Sequence, residues 1–132
     1  MDLSLKNCFI NVTDAESALT FYRDALGLEL RNDVSNEGFR WLTLGSPTQP
    51  GVEIVVSDYL SSSPDDRDTL AALITKGTFM AAMFVTPDLD ATFEKVRASG
   101  AEVLQEPMDQ AWGPRDCAFR DPAGNMVRIN QA

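Results

Sequence analysis

The sequence predicts an α+β fold made of two βαβββ modules. Three observations predict it. Short runs alternate apolar and polar residues with the period of a half-buried strand, longer runs carry apolar residues at helical spacing, and the order of these runs repeats. "NVTDAESALTFYRDALGLEL" lies over "FVTPDLDATFEKVRASGAEVL". The two share a Val-Thr start, an Asp entering the helix, a Gly leaving it and an apolar strand beyond. Pro87 is an extra residue in the second copy, and the glycines differ by one in phase.

In the first copy, "KNCFINV" reads as a strand with Cys8, Ile10 and Val12 on one side and Asn7, Phe9 and Asn11 on the other. "TDAESALTFYRDALG" follows with Ala15, Ala18, Leu19, Tyr22, Ala25 and Leu26 at helical spacing. Thr13 or Asp14 can cap its start and Gly27 can end it. "LELRNDV", "RWLTLG" and "GVEIVVSD" are strands. "SSSPDDRDTLAALITKG" reads as a helix with Ser63 as cap, Pro64 in the first turn and Gly77 closing it.

The second copy gives a strand "FMAAMFV", a capped helix "PDLDATFEKVRASG" and a strand "AEVLQEP". Two more strands, "DCAFRD" and "NMVRINQ", flank the turn formers Asp121, Pro122, Gly124 and Asn125. The modules cover about 1–60 and 78–132, joined by a helical linker 61–77. At 132 residues the chain is expected to be a single domain, 1–132.

Composition narrows the function. A hydrophobic share of 44% and a charged share of 23% are those of a globular protein. No apolar run approaches the roughly 20 residues that span a bilayer, and no leader pattern opens the chain, so cytoplasmic residence is expected. Cys8 and Cys117 each sit in an apolar strand-like run, which favours buried free thiols over a disulfide. The net charge of −9 argues against a nucleic-acid partner. That charge either serves solubility alone or steers a cationic small molecule inward. There is no histidine, so the usual general base and the commonest metal ligand are missing together. No phosphate-cradling glycine loop is present.

"FYRDALGLEL", "AEVLQEP" and "RDCAFRDPAGNMVRI" resemble the vicinal oxygen chelate superfamily, which includes glyoxalase I, extradiol dioxygenases and the bleomycin-resistance binding proteins. The resemblance covers nearly the whole chain. It implies that the modules form a curved, half-open barrel with helices outside, and that a concave surface for a ligand is usually shared across a homodimer.

Strand alternation then assigns the residues of the cup. The first strand offers Asn7, Phe9 and Asn11, and "FRWLTLG" offers Phe39, Trp41 and Thr43. "GVEIVVSD" offers Glu53 and Val55. "FMAAMFV" offers Met80, Ala82 and Phe84, with Ala81, Met83 and Val85 behind, and the last strand offers Met126, Arg128 and Asn130. Metal-dependent relatives carry their ion on four such positions, which here hold Asn7, Glu53, Met80 and Arg128. Asn is a weak ligand, Met suits soft metals and Arg is a permanent cation. The resemblance therefore implies no metal and no cofactor. Arg128 either pairs with Glu53 in the vacated position or is simply solvated.

Trp112 lies in "DQAWGPRD", a loop that in the bleomycin-resistance branch commonly supplies an aromatic clamp. With Phe9, Phe39, Trp41 and Phe84 it suggests a cup for planar ligands, since aromatic pairs add roughly 0.5–1.5 kcal/mol beyond area burial. The expected ligand-binding residues are Asn7, Phe9, Phe39, Trp41, Glu53, Met80, Phe84, Trp112, Arg128 and Asn130. The expected function is stoichiometric sequestration of a planar hydrophobic natural product or antibiotic by a homodimer with sites at the subunit interface. The alternative is a metal-independent lyase, isomerase or hydrolase, with Glu53 as base at a raised pKa and Arg128 stabilising an oxyanion.

Overall fold

A computed structural model describes all 132 residues. The chain divides into two compact units, Met1–Ala71 and Ala72–Ala132. Each carries one four-stranded sheet, and the fold class is α+β with two βαβββ modules.

In the first unit the strands are β1 (Asn7–Asn11), β2 (Glu29–Asn36), β3 (Phe39–Gly45) and β4 (Glu53–Ser57), in the spatial order β1-β4-β3-β2. β1 runs parallel to β4, and the other neighbours are antiparallel. Helix α1 (Ala15–Leu19) packs on β3 and β4. It continues as a π-helical segment, Thr20–Ala25, in which the Leu26 N–H reaches the Phe21 carbonyl at 3.0 Å. The sequence pattern predicts a regular helix here. The wider winding buries Phe21 beside Tyr22 (ring centroids 4.9 Å apart) and leaves Leu26 half-buried. Asp14 stands at the N-cap, where its carboxylate accepts from the Ser17 hydroxyl. Ile10, Val12, Leu42, Leu44 and Val56 meet the buried face of this helix in the core.

The second unit repeats the plan. Its strands are β5 (Met80–Thr86), β6 (Glu102–Asp109), β7 (Arg115–Arg120) and β8 (Met126–Gln131), in the order β5-β8-β7-β6, with β5 parallel to β8. Helix α2 (Pro64–Thr75) spans the division at Ala71, and Ser63 Oγ accepts from the Asp66 N–H at 3.3 Å as its cap. Helix α3 (Leu89–Ala98) is capped by Asp88, which accepts from the Ala91 N–H at 3.1 Å. Leu89, Phe93 and Val96 of α3 are buried, and Phe93 stacks on Phe119 at 5.4 Å. No helix is long and apolar enough to cross a membrane.

The turn from β7 to β8 is tightly built. The buried Asp121 accepts from the N–H groups of Ala123, Gly124 and Asn125 at 2.9–3.0 Å. Gly124 has φ +122°, and a Cβ there would collide with the Ile74 carbonyl oxygen.

Both thiols are free. Cys117 is buried, and desolvation pushes its pKa up to about 11. Cys8 is exposed, contrary to the expectation of two buried thiols, because β1 is an edge strand and the six residues before it are exposed.

Candidate ligand-binding faces

Each sheet buries one face under its helices and leaves the other open, and the ladder register decides which side chains lie on the open face. In the first module Asn7 stands opposite Glu53, Phe9 opposite Val55 and Asn11 opposite Ser57. Thr43 stands opposite Val55, and Trp41 opposite both Ser57 and Val34. Asn7, Phe9, Phe39, Trp41 and Glu53 therefore share the open face, as alternation predicts. Phe39 and Trp41 meet there around Tyr59, at centroid distances of 5.3 Å and 5.5 Å. The Arg67 guanidinium lies 5.4 Å over the Phe39 ring. Phe9 is 70% exposed and stands outside this cluster. Tyr59 and Arg67 complete the arrangement from the segment after β4, where strand alternation carries no information.

In the second module the expected phase holds at Met80, opposite Met126, and fails beyond it. A β-bulge between Met80 and Ala82 inserts one unpaired residue into β5. Ala82 then faces Val127, Met83 faces Arg128, Phe84 faces Ile129 and Val85 faces Asn130. Val127 and Ile129 belong to the buried core. Phe84 is therefore on the helix side with Ala82, and Met83 and Val85 take the open face, the reverse of the sequence assignment. Trp112 is in the β6–β7 loop and 72% exposed.

The two charged candidates have other partners than the expected Glu53–Arg128 pair. Glu53 accepts from Lys6 Nζ at 2.8 Å and lies 4.0 Å from Arg31 Nη1. Arg31 in turn clamps the β3–β4 connection, donating to the carbonyls of Val52 at 3.1 Å and Ser46 at 2.9 Å. The hydrogen bond from Lys6 is the main cause that holds the Glu53 carboxyl below its ordinary value. A general base needs the opposite shift, so the premise of the enzymatic alternative is not met at this residue.

Arg128 is 15% exposed and pairs with Asp116, whose side chain is 2% exposed, at 2.8 Å. Nε also donates to Asp116 Oδ2 at 2.9 Å, and Nη2 donates to Gln105 Oε1 at 2.7 Å. Asp116 Oδ1 accepts amide N–H bonds from Gln105 at 3.0 Å and Gln110 at 2.7 Å. Burial pushes the Asp116 carboxyl up, but the two glutamine amides and the guanidinium outweigh it and leave it below its ordinary value. Asp116, Gln105 and Gln110, which strand alternation does not single out, are the residues that hold the candidate Arg128 in place. Asn130 donates to Met83 Sδ at 3.4 Å, and its Oδ1 is buried without a partner.

The positions equivalent to a metal site do not fit a divalent ion. Of Asn7, Glu53, Met80 and Arg128, the single carboxylate is already engaged by Lys6, and the arginine is held in its own ion pair. No group of three or more His, Cys, Asp or Glu side chains is arranged to hold one.

Most of the strongly exposed apolar residues of the strands lie on these open faces: Phe9 and Val34 in the first module, and Met80, Met83, Val85 and Met108 in the second. The run of Met80, Met83 and Val85 along β5 is apolar exposure of the kind that marks ligand or protein contact surfaces.

Residues 4–129 match the Glyoxalase/Bleomycin resistance protein/Dioxygenase superfamily. The structure is similar to the crystal structure of UcmS2, with a TM-score of 0.89, 31% identity and full coverage of both chains. It is also similar to TnmS3 from Streptomyces sp. CB03234, described as an antibiotic binding protein, with a TM-score of 0.78 and 26% identity over 99% of this chain and 98% of that one. The uncharacterized protein YurT of Bacillus subtilis (strain 168) is 29% identical over 92% of this chain and 94% of its own.

Proposed function

From the premise that this chain belongs to the glyoxalase/bleomycin resistance protein/dioxygenase superfamily, we propose that it binds and sequesters a planar, hydrophobic small molecule. A natural product or antibiotic is the class we favour, and holding it stoichiometrically away from its target would confer resistance. The observation that carries this reading is the aromatic group on the first module's open face. Phe39 and Trp41 meet around Tyr59, with Arg67 over Phe39. Such a group offers π-faces for stacking, and Asn7, Asn32, Thr43 and Glu53 share its face as polar side chains that can orient a ligand. The similarity to TnmS3 supports the same ligand class.

The proposed binding residues are Asn7, Phe9, Phe39, Trp41, Glu53, Met80, Trp112, Arg128 and Asn130, with Met83 and Tyr59 added. Catalysis through Glu53 is disfavoured by its lowered pKa. A homodimer with ligand sites at the subunit interface is part of the proposal. The exposed apolar side chains of Phe9, Met83 and Val85 support it, because a symmetric partner would remove them from water.

A fluorescence titration against a panel of planar aromatic natural products tests the reading, with Trp41 and Trp112 as reporters. Saturable quenching without product is expected, and the Trp41→Ala variant should bind about tenfold more weakly, in keeping with one lost aromatic contact. Turnover of any compound, or no quenching across the panel, would overturn it. Sedimentation equilibrium checks the dimer.

A further inference from the structure

The second module's open face combines two features that the first lacks. Met80, Met83, Met108 and Met126, every methionine after Met1, lie on it together. Among them sits the Arg128 guanidinium with an uneven set of partners. A guanidinium has five N–H donors. Nε and Nη2 are spent on Asp116 and Gln105 at 2.7–2.9 Å. Nη1 carries two N–H groups and meets only the thioether of Met126, at 3.7 Å. Sulfur of this kind is a weak acceptor, so Nη1 retains most of its donor capacity.

We infer that Arg128 Nη1 recognises an uncharged oxygen acceptor, a ketone, quinone or amide carbonyl, on a planar ligand, with the four methionines adapting around it. The inference rests on the reading of the open faces as ligand surfaces and adds which chemical class they select. Three arguments carry it. The guanidinium is fixed in orientation, because its carboxylate partner is buried and itself held by two glutamine amides. Its charge is already balanced at 2.8 Å by Asp116, so an anionic ligand group would gain little and would approach that carboxylate. A cationic group would meet the guanidinium directly. A neutral carbonyl gains a charge-assisted hydrogen bond and disturbs neither partner. The thioether side chains are unbranched and polarizable, and they can re-pack around ligand edges of differing outline.

The test uses the wild-type protein and three probes of one skeleton: fluorenone, fluorene and fluorenecarboxylate. Affinities come from tryptophan quenching. Fluorenone is expected to bind about tenfold tighter than fluorene, the size of one hydrogen bond to a charged donor, and tighter than the carboxylate. Equal binding of fluorenone and fluorene, or tightest binding of the carboxylate, would overturn the inference while leaving the proposed function standing. Failure of all three to bind up to their solubility would overturn both. A second measurement removes the two charges together, combining Arg128→Met with Asp116→Asn, with circular dichroism to confirm folding. The preference for fluorenone should fall to about one while fluorene affinity persists. If the preference survives, the oxygen is read elsewhere and the inference fails.

Discussion

The two modules share strand order and strand directions, yet their open faces differ in kind. The first carries rings: Phe39, Trp41 and Tyr59, with a Lys6–Glu53 pair whose lysine is exposed. The second carries thioethers around an ion pair whose carboxylate is almost wholly buried. The helix-facing sides of the central strands diverge far less, since Leu42, Leu44 and Val56 on β3 and β4 have buried apolar counterparts in Cys117, Phe119 and Ile129 on β7 and β8. Packing a helix on a sheet constrains one face of each strand. The alternate residues are free to acquire different chemistry.

The strongest way to break this comparison is to remove one acid from each module. Asp116→Ala leaves the Arg128 charge half-buried without its carboxylate and should cost about 3 kcal/mol. Glu53→Ala leaves behind a lysine that is 76% exposed and an Arg31 held by backbone carbonyls, and should lower the unfolding midpoint far less. Urea titrations of both variants decide it, and equal losses would erase the distinction.

A smaller effect separates the equivalent turns. Gly124→Ala forces a Cβ at positive φ onto the Ile74 carbonyl and should destabilise by more than about 1 kcal/mol. Gly51→Ala, in the β3–β4 connection, meets nothing within 4 Å and should be neutral. Thermal melts of the pair sharpen the view that the second turn is the more constrained.

Acid titration probes the ion pair without truncating it. The folded-state pKa of Asp116 is below its ordinary value of 3.8. Its contribution is therefore full above that value and is lost as pH falls through the lower folded value. Asp116→Asn should flatten the decline of stability with pH below about 4. An unchanged slope would assign that decline to the exposed acids instead. The smallest expected effect is that of Trp112→Phe. With Trp112 72% exposed and Trp41 packed on Tyr59, most ligand-induced quenching should survive the change. Loss of the signal would move the binding surface to the β6–β7 loop.

The fold was legible because strand and helix periods are properties of single segments and the repeat states them twice. The open faces were legible only where a ladder is regular. In "FMAAMFV" the bulge falls beside two alanines, which are small enough for either face, so no side chain signals the change of phase. Alternation misplaces Phe84 for that reason alone. Asp116 could have been found: in "RDCAFRD" it alternates with Cys117 and shares its phase with Ala118 and Arg120. Its pairing with Arg128, however, depends on the register of β7 against β8, which no one strand contains. The same holds for Gln105 and Gln110, whose amides act only once β6 is aligned.

The bulge in β5 has a consequence for how this protein can vary. The ladder on both sides of Ala81 keeps its outward and inward assignments, so the strand already absorbs one surplus residue at that point. Excising Ala81 would restore an unbroken ladder with every later side chain on its present side. A one-codon deletion there, which in most strands would turn the surface inside out, would leave this one's exterior lettering intact.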